Sequence, residues 1–187
     1  MRDPAAGGSA LQWSITAMSD TTERLPRVRA ANQPRAFVVI GEAVWWVTIV
    51  DATLVRHHPD EYDAMLAGQP AAERQRIEGT LGGLRFVRNR MGHEVDHVDF
   101  IRPDTSRSGT GHDRITAWTW TSLPAPALDS LPPRGQAWEM TRYRAYQAHL
   151  AGHAIGEVFA RATAFLKLAA ANPASAPVPD VSTQGVR

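Results

Sequence analysis

The sequence predicts an all-α protein, a helical bundle of about four to five helices with a Pro/Trp-rich, strand-like insertion between the last two helices. Three observations predict it. Arg35 to His58 runs without a turn signal, longer than an ordinary strand. In 136–171, Tyr143, Tyr146, Leu150, Ala154, Val158, Ala162, Phe165 and Ala169 recur at three- and four-residue steps. Prolines at 34, 59, 70 and 103 fall where those helical stretches start or stop.

The elements follow in chain order. Residues 1–34, rich in Ala, Gly, Pro, Ser and Thr, read as an irregular N-terminal arm with at most a short helix around Trp13. The helix from Arg35 to His58 is apolar almost all round, Trp45 and Trp46 included, which places it at the bundle centre. Asp60 caps a short helix that Gly68 and Pro70 end. Residues 71–78 make a polar helical turn or two, Gly79, Gly82 and Gly83 loosen the chain, and a helix from Leu81 to Ile101 ends before Pro103. The 102–135 insertion contains Ile115 to Thr121, which alternates like a strand, and four prolines after it. One helix then covers Gln136 to Ala171, and 172–187 reads as a disordered tail. The helical domain is therefore 35–171.

Composition narrows the chemistry. The 187 residues carry a net charge of +1 and no cysteine, which removes disulfides, thiol nucleophiles and Cys-ligated metals. Near-zero charge argues against a histone-like nucleic-acid binder but not against a local arginine patch. Lys167 is the sole lysine against nineteen arginines, a bias toward the bidentate donor of phosphates and carboxylates. The apolar stretch Phe37–Val50 is interrupted by Glu42, shorter than the ~20 residues of a span, and closed by Asp51. The expectation is a cytoplasmic protein without a membrane partner.

The segment Leu84 to His97 holds the densest chemistry. Arg88-Asn89-Arg90-Met91-Gly92-His93 is an Arg, four residues, then His, with Asn directly after the Arg. On a helix, Arg85, Asn89, His93 and His97 are four apart and share one face, and the long Arg88 side chain reaches over it. Imidazole is a base of near-neutral pKa, and a guanidinium holds phosphate charge without losing its proton.

This pattern resembles the signature of the HEPN superfamily, helical bundles that include metal-independent RNases, toxins of toxin–antitoxin pairs and phage-defence proteins. The resemblance implies an active site of Arg88, Asn89 and His93 across a homodimer interface, RNA as substrate and no cofactor. A cognate antitoxin is the further partner it implies. Arg85 and Arg90 would then hold phosphates beside the motif. Trp118, Trp120 and Trp138, with Arg114 and Arg134, are candidates for base stacking, against a hydrophobic lid or dimer contact. The long 102–135 insertion departs from a plain four-helix bundle.

His93-Glu94-Val95-Asp96-His97 also reads as the zincin pattern H-E-x-x-H, two imidazoles at i and i+4 with a glutamate base. The charged Asp96 and the lack of a Gly-spaced third His weaken that reading. A metal-binding bundle is the remaining metal alternative, with His93 and His97 converging on His149 and His153, a second i,i+4 pair. A further alternative is a non-catalytic module that binds a protein or nucleic acid through 102–135. The structural readings stand beside these: Arg85, Arg88 and Arg90 as a solvated face with Glu94 four after Arg90, and Glu42 and Asp51 as ion-paired or rim residues.

Overall fold

Prolines and their caps set the helix starts. In the computed structural model, which describes residues 4–28, 32–93, 99–104, 118–129 and 131–171, α2 (Gln33–His57) begins where the Asn32 side chain accepts the Arg35 N–H at 3.0 Å. Pro34 occupies its first turn, where the missing N–H costs nothing. Pro59 ends α2 and opens α3 (Pro59–Ala67), with His58 as the flanking cap in place of the expected Asp60. Helix α4 (Ala71–His93) follows Pro70, α5 is Pro133–His149 and α6 is Ile155–Ala171.

The expected irregular arm is instead helix α1 (Pro4–Arg24), closed by a 3₁₀ turn at Leu25–Arg27. Its polar content is absorbed locally: Ser14, Thr16, Ser19, Thr21 and Thr22 return their hydroxyls to carbonyls four residues earlier. Leu11, Ile15 and Met18 recur at helical spacing and pack into the core, Met18 fully buried. An Arg24–Glu42 ion pair ties α1 to α2.

Three further boundaries differ from expectation. Residues 71–93 form one unbroken helix, because the glycines that suggest a loose chain are where α5 comes close: Ala145 stands against Gly82, and Leu150 with the Tyr146 backbone against Gly83. The described part of α4 runs to His93, and 101–103, expected as the end of that helix, is a strand. The last helix is two helices, since the chain turns at 150–154 through Gly152 at φ +78°, a backbone angle that favours glycine.

Strand β1 (Ile101–Pro103) pairs antiparallel with β2 (Trp118–Trp120), Ile101 opposite Trp120 and Pro103 opposite Trp118. The other edge of β2 meets the α5–α6 turn: the Gly152 N–H donates to the Trp120 carbonyl at 2.9 Å, and the Trp120 N–H donates to the His153 carbonyl at 3.1 Å. A strand covered on both faces buries every residue rather than alternate ones.

Neighbouring helices run α1, α2, α4, α5 side by side, with α6 packed behind the first three and α3 bridging α2 to α6. The all-α bundle with a short strand-like insertion is thus the fold. Helix α2 is the one described helix long and apolar enough to cross a membrane, and half of its apolar window lies buried inside the bundle. The 172–187 tail lies outside the described residues.

Candidate functional site

Helix α4 lies between α2 and α5, and two sets of contacts fix its rotation. On the α2 side, Asp51 meets Arg85, Trp45 meets Arg88, and Met91 lies against Gly41. Toward α5, the His149 ring lies against Gly79, Ala145 against Gly82 and Glu139 against Asn89. The face left outward carries Arg85, Asn89 and Gly92, spaced i, i+4, i+7. Nothing stands within 4 Å of the position a Cβ on Gly92 would take, so the surface beside it is open.

Arg85 is anchored from below. Its Nε donates to Asp51 Oδ2 at 2.6 Å, Nη2 lies 2.6 Å from the same oxygen, and the Tyr62 hydroxyl donates to Oδ1 at 2.9 Å. The Asp51 side chain is 1% exposed and that of Arg85 38%, so the guanidinium bridges core and surface. Burial pushes the Asp51 carboxyl above the ordinary carboxylate range, while the Arg85 charge and the two hydrogen bonds pull it back. The same burial, with the Asp51 charge second, raises Tyr62, which therefore acts only as a donor.

Arg88 is exposed, and its guanidinium lies 5.0 Å from the centroid of the Trp45 ring. Asn89 Nδ2 donates to Glu139 Oε2 at 3.4 Å, and Arg142 lies 3.9 Å from the same oxygen. The Asn89 carbonyl oxygen is thereby directed away from Glu139. Arg90, two residues round the helix from Arg88, sits over the Phe86 ring at 5.9 Å. The structure thus brings Arg85, Arg88 and Asn89 together and leaves Arg90 off the outward face. His93 ends α4, but its side chain, with 94–98 including His97, lies outside the described residues.

The remaining candidates are corrected. Trp118 is 5% exposed and Trp120 fully buried, so neither offers a ring to a base. Both are held in the ribbon core, and Trp118 Nε1 donates to the Val28 carbonyl at 3.3 Å. Of the insertion proposed as a binding surface, 105–117 with Arg114 lies outside the described residues. His149 and His153 do not share a helix face, because α5 ends at His149 and the turn intervenes. His149 lies at Gly79, fourteen residues or about 21 Å of helix from His93. Burial, then the Arg161 and His153 charges, push the His149 imidazole below its ordinary range. Among the described residues no group of three or more His, Asp or Glu is placed to hold a metal ion.

Two aromatic groups of the outward region stand out. Trp45, expected at the bundle centre, is 48% exposed, and Trp138 is 57% exposed with Arg134 stacked 5.1 Å from its ring centroid. The Arg134–Trp138 spacing of four made that pair legible; Trp45 is hidden by the apolar run around it. A separate cavity of about 550 Å³ lies between the end of α1 and α6, lined by Leu25, Val28, Trp118, Phe159 and Ala160 among others, with no described lining residue from α4 or α5. No family model matches the chain, and neither a curated protein nor a solved structure matches it.

Proposed function

We propose that the chain is a HEPN-like, metal-independent endoribonuclease that acts on RNA phosphodiesters as a homodimer, in a toxin or phage-defence setting. The observation that carries this reading is the outward face of α4, where Arg85, Arg88 and Asn89 gather beside an open Gly92 in the helix that ends at His93.

In this reading the ribose 2′-hydroxyl attacks the adjacent phosphorus and the 5′-oxygen leaves. His93 takes the hydroxyl proton, and the second copy's equivalent imidazole returns one to the leaving oxygen; each such transfer is typically worth about 10²–10⁴-fold. Arg88 stabilises the charge that builds on the non-bridging oxygens, a task for which a guanidinium is suited because it stays protonated. Asn89, held by Glu139, supplies an oriented carbonyl, and Arg85, fixed on Asp51, supplies a preset cation for a neighbouring phosphate. Fixing these groups in advance avoids reorganisation at the moment of reaction.

The test is cleavage of a labelled single-stranded RNA by the full chain with EDTA present. The expected result is cleavage that persists in EDTA and falls at least about 100-fold in His93→Ala and in Arg88→Ala. Absence of cleavage, abolition by EDTA, or full activity of His93→Ala overturns the proposal.

A further inference from the structure

We infer that Trp45 and Trp138 are paired stacking platforms that bind the bases of single-stranded RNA on either side of the arginine face of α4. The inference rests on the endoribonuclease reading and extends it to how substrate is held. Three observations lead to it.

First, both indoles are about half exposed or more, at 48% and 57%, whereas Trp118 and Trp120 of the ribbon are buried; Trp13, at 72%, is also exposed but belongs to α1. Exposed indole is apolar surface left in water, and tryptophan is enriched at binding surfaces, where its ring is buried against a partner. Second, each ring carries one arginine, Arg88 at 5.0 Å and Arg134 at 5.1 Å. A guanidinium covers one face of an indole and leaves the other to a base, while its charge lies where a phosphate can meet it.

Third, the two pairs flank the same line of residues. Trp45 belongs to α2 and touches α4 through Arg88, the motif arginine. Trp138 belongs to α5, next to Glu139, which holds Asn89. It is also seven residues from Ala145, whose Cβ faces Gly82 of α4, so Trp138 stands on the α4-facing edge of its helix. Adjacent helices pack about 8–10 Å apart. The indoles therefore stand on opposite sides of α4, with Arg85 and Asn89 between them.

The charge matches this occupant. Arg85, Arg88, Arg134 and Arg142 line the region; Asp51 pairs with Arg85 from the buried side and Glu139 faces Arg142, so the two arginines stacked on the indoles, Arg88 and Arg134, carry the charge offered to phosphate. Unpaired bases present their faces for stacking, whereas a duplex hides them, so single-stranded RNA is favoured over double-stranded.

The experiment uses the full chain carrying His93→Ala, so that binding is read without cleavage. Anisotropy of a fluorescein-labelled single-stranded RNA is compared with its blunt duplex at fixed salt, for the parent and for added Trp45→Ala, Trp138→Ala and Trp45→Phe. Each alanine change is expected to weaken single-strand binding by about 5- to 100-fold, with Trp45→Phe intermediate and duplex binding changed less. Unaltered circular dichroism melting shows that these surface variants remain folded. Equal affinity of both alanine variants and parent, equal losses for duplex, or no single-strand binding by the parent overturns the inference. So does loss of self-association in Trp45→Ala with RNA affinity intact. Tryptophan-dependent binding by a chain that does not cleave RNA removes the catalytic reading and keeps the platforms. Cleavage with unchanged KM in both tryptophan variants removes the platforms and keeps the catalytic reading.

Discussion

The α2–α4–α5 face and the β1–β2 ribbon use the same side chain in opposite ways. In the ribbon, Trp118 and Trp120 lie in the core, with Trp120 packed edge-on against Tyr146 and tilted against Phe159. On the helical face, Trp45 and Trp138 stay in water, each under an arginine. What separates them is the number of neighbours that can close over a residue. Strand β2 is joined to β1 on one edge and to the α5–α6 turn on the other, and all three of its residues are buried. An outer helix position has one side free, and an indole there keeps its apolar face only partly covered by a guanidinium stem.

The largest effect that sharpens this contrast is in the ribbon. Trp120→Ala removes a fully buried ring and is expected to cost about 3–5 kcal/mol, read as a lower denaturation midpoint at unchanged slope. Trp45→Ala, at a half-exposed site, is expected to cost less than about 1 kcal/mol. Comparable losses from the two variants would break the comparison, because Trp45 would then be supporting the core.

A smaller effect concerns what holds the helical face in place. Asp51→Ala leaves Arg85 without its buried anchor, and removal of one partner from a buried pair costs about 3–5 kcal/mol. Since the Arg85 side chain is 38% exposed, water can take over part of that role, and the expectation drops to about 1–3 kcal/mol. Asp51→Asn should cost less than Asp51→Ala, because the amide oxygen can still accept from Arg85 while its NH2 donates to the Tyr62 hydroxyl oxygen, without the burial penalty of a charge. If Asp51→Asn proved the worse variant, the ionised carboxylate itself would be what the core requires.

How far these two regions could be read in advance follows from their chemistry. Proline-marked starts of α2, α3 and α4 are legible because proline restricts the backbone locally. The shared face of Arg85 and Asn89 is legible because helix spacing alone fixes it, whereas Gly92 joins it only once the neighbouring helices are placed. Helix α1 is not, since its polar hydroxyls signal a loop until they are seen returned to their own helix carbonyls. Gly79, Gly82 and Gly83 mislead for a related reason: glycine serves both a flexible chain and a close helix approach, and only the partner helix decides which. The break at 150–154 is masked by an apolar rhythm that continues across it, although Gly152 is the residue that makes the turn. The alternation around Trp118 and Trp120 marks a strand but leaves open whether their rings face a ligand or the core, which only the packing decides. Trp45 was assigned to the core by its apolar neighbours, when only the position of α4 shows which way it faces.

The smallest expected effect is a pH dependence at the far end of the α4–α5 seam. His149 lies against Gly79 and has its imidazole pushed down, first by burial and then by Arg161 and His153. A group whose folded pKa is depressed binds fewer protons in the folded state than in the unfolded chain across the window between the two values. Its stabilising contribution is therefore present above the ordinary histidine value of 6.5 and is lost as pH falls from there through the depressed one. Denaturation midpoints measured from pH 7.5 to pH 5 should decline, and His149→Gln should flatten that slope while leaving the neutral-pH midpoint little changed. Because the imidazole is only partly buried, the slope is shallow and solvent screens it. Beneath the outward face, the raised Asp51 carboxyl binds more protons in the folded state and so opposes that decline rather than adding to it. An undiminished slope in His149→Gln would move the titration to another group.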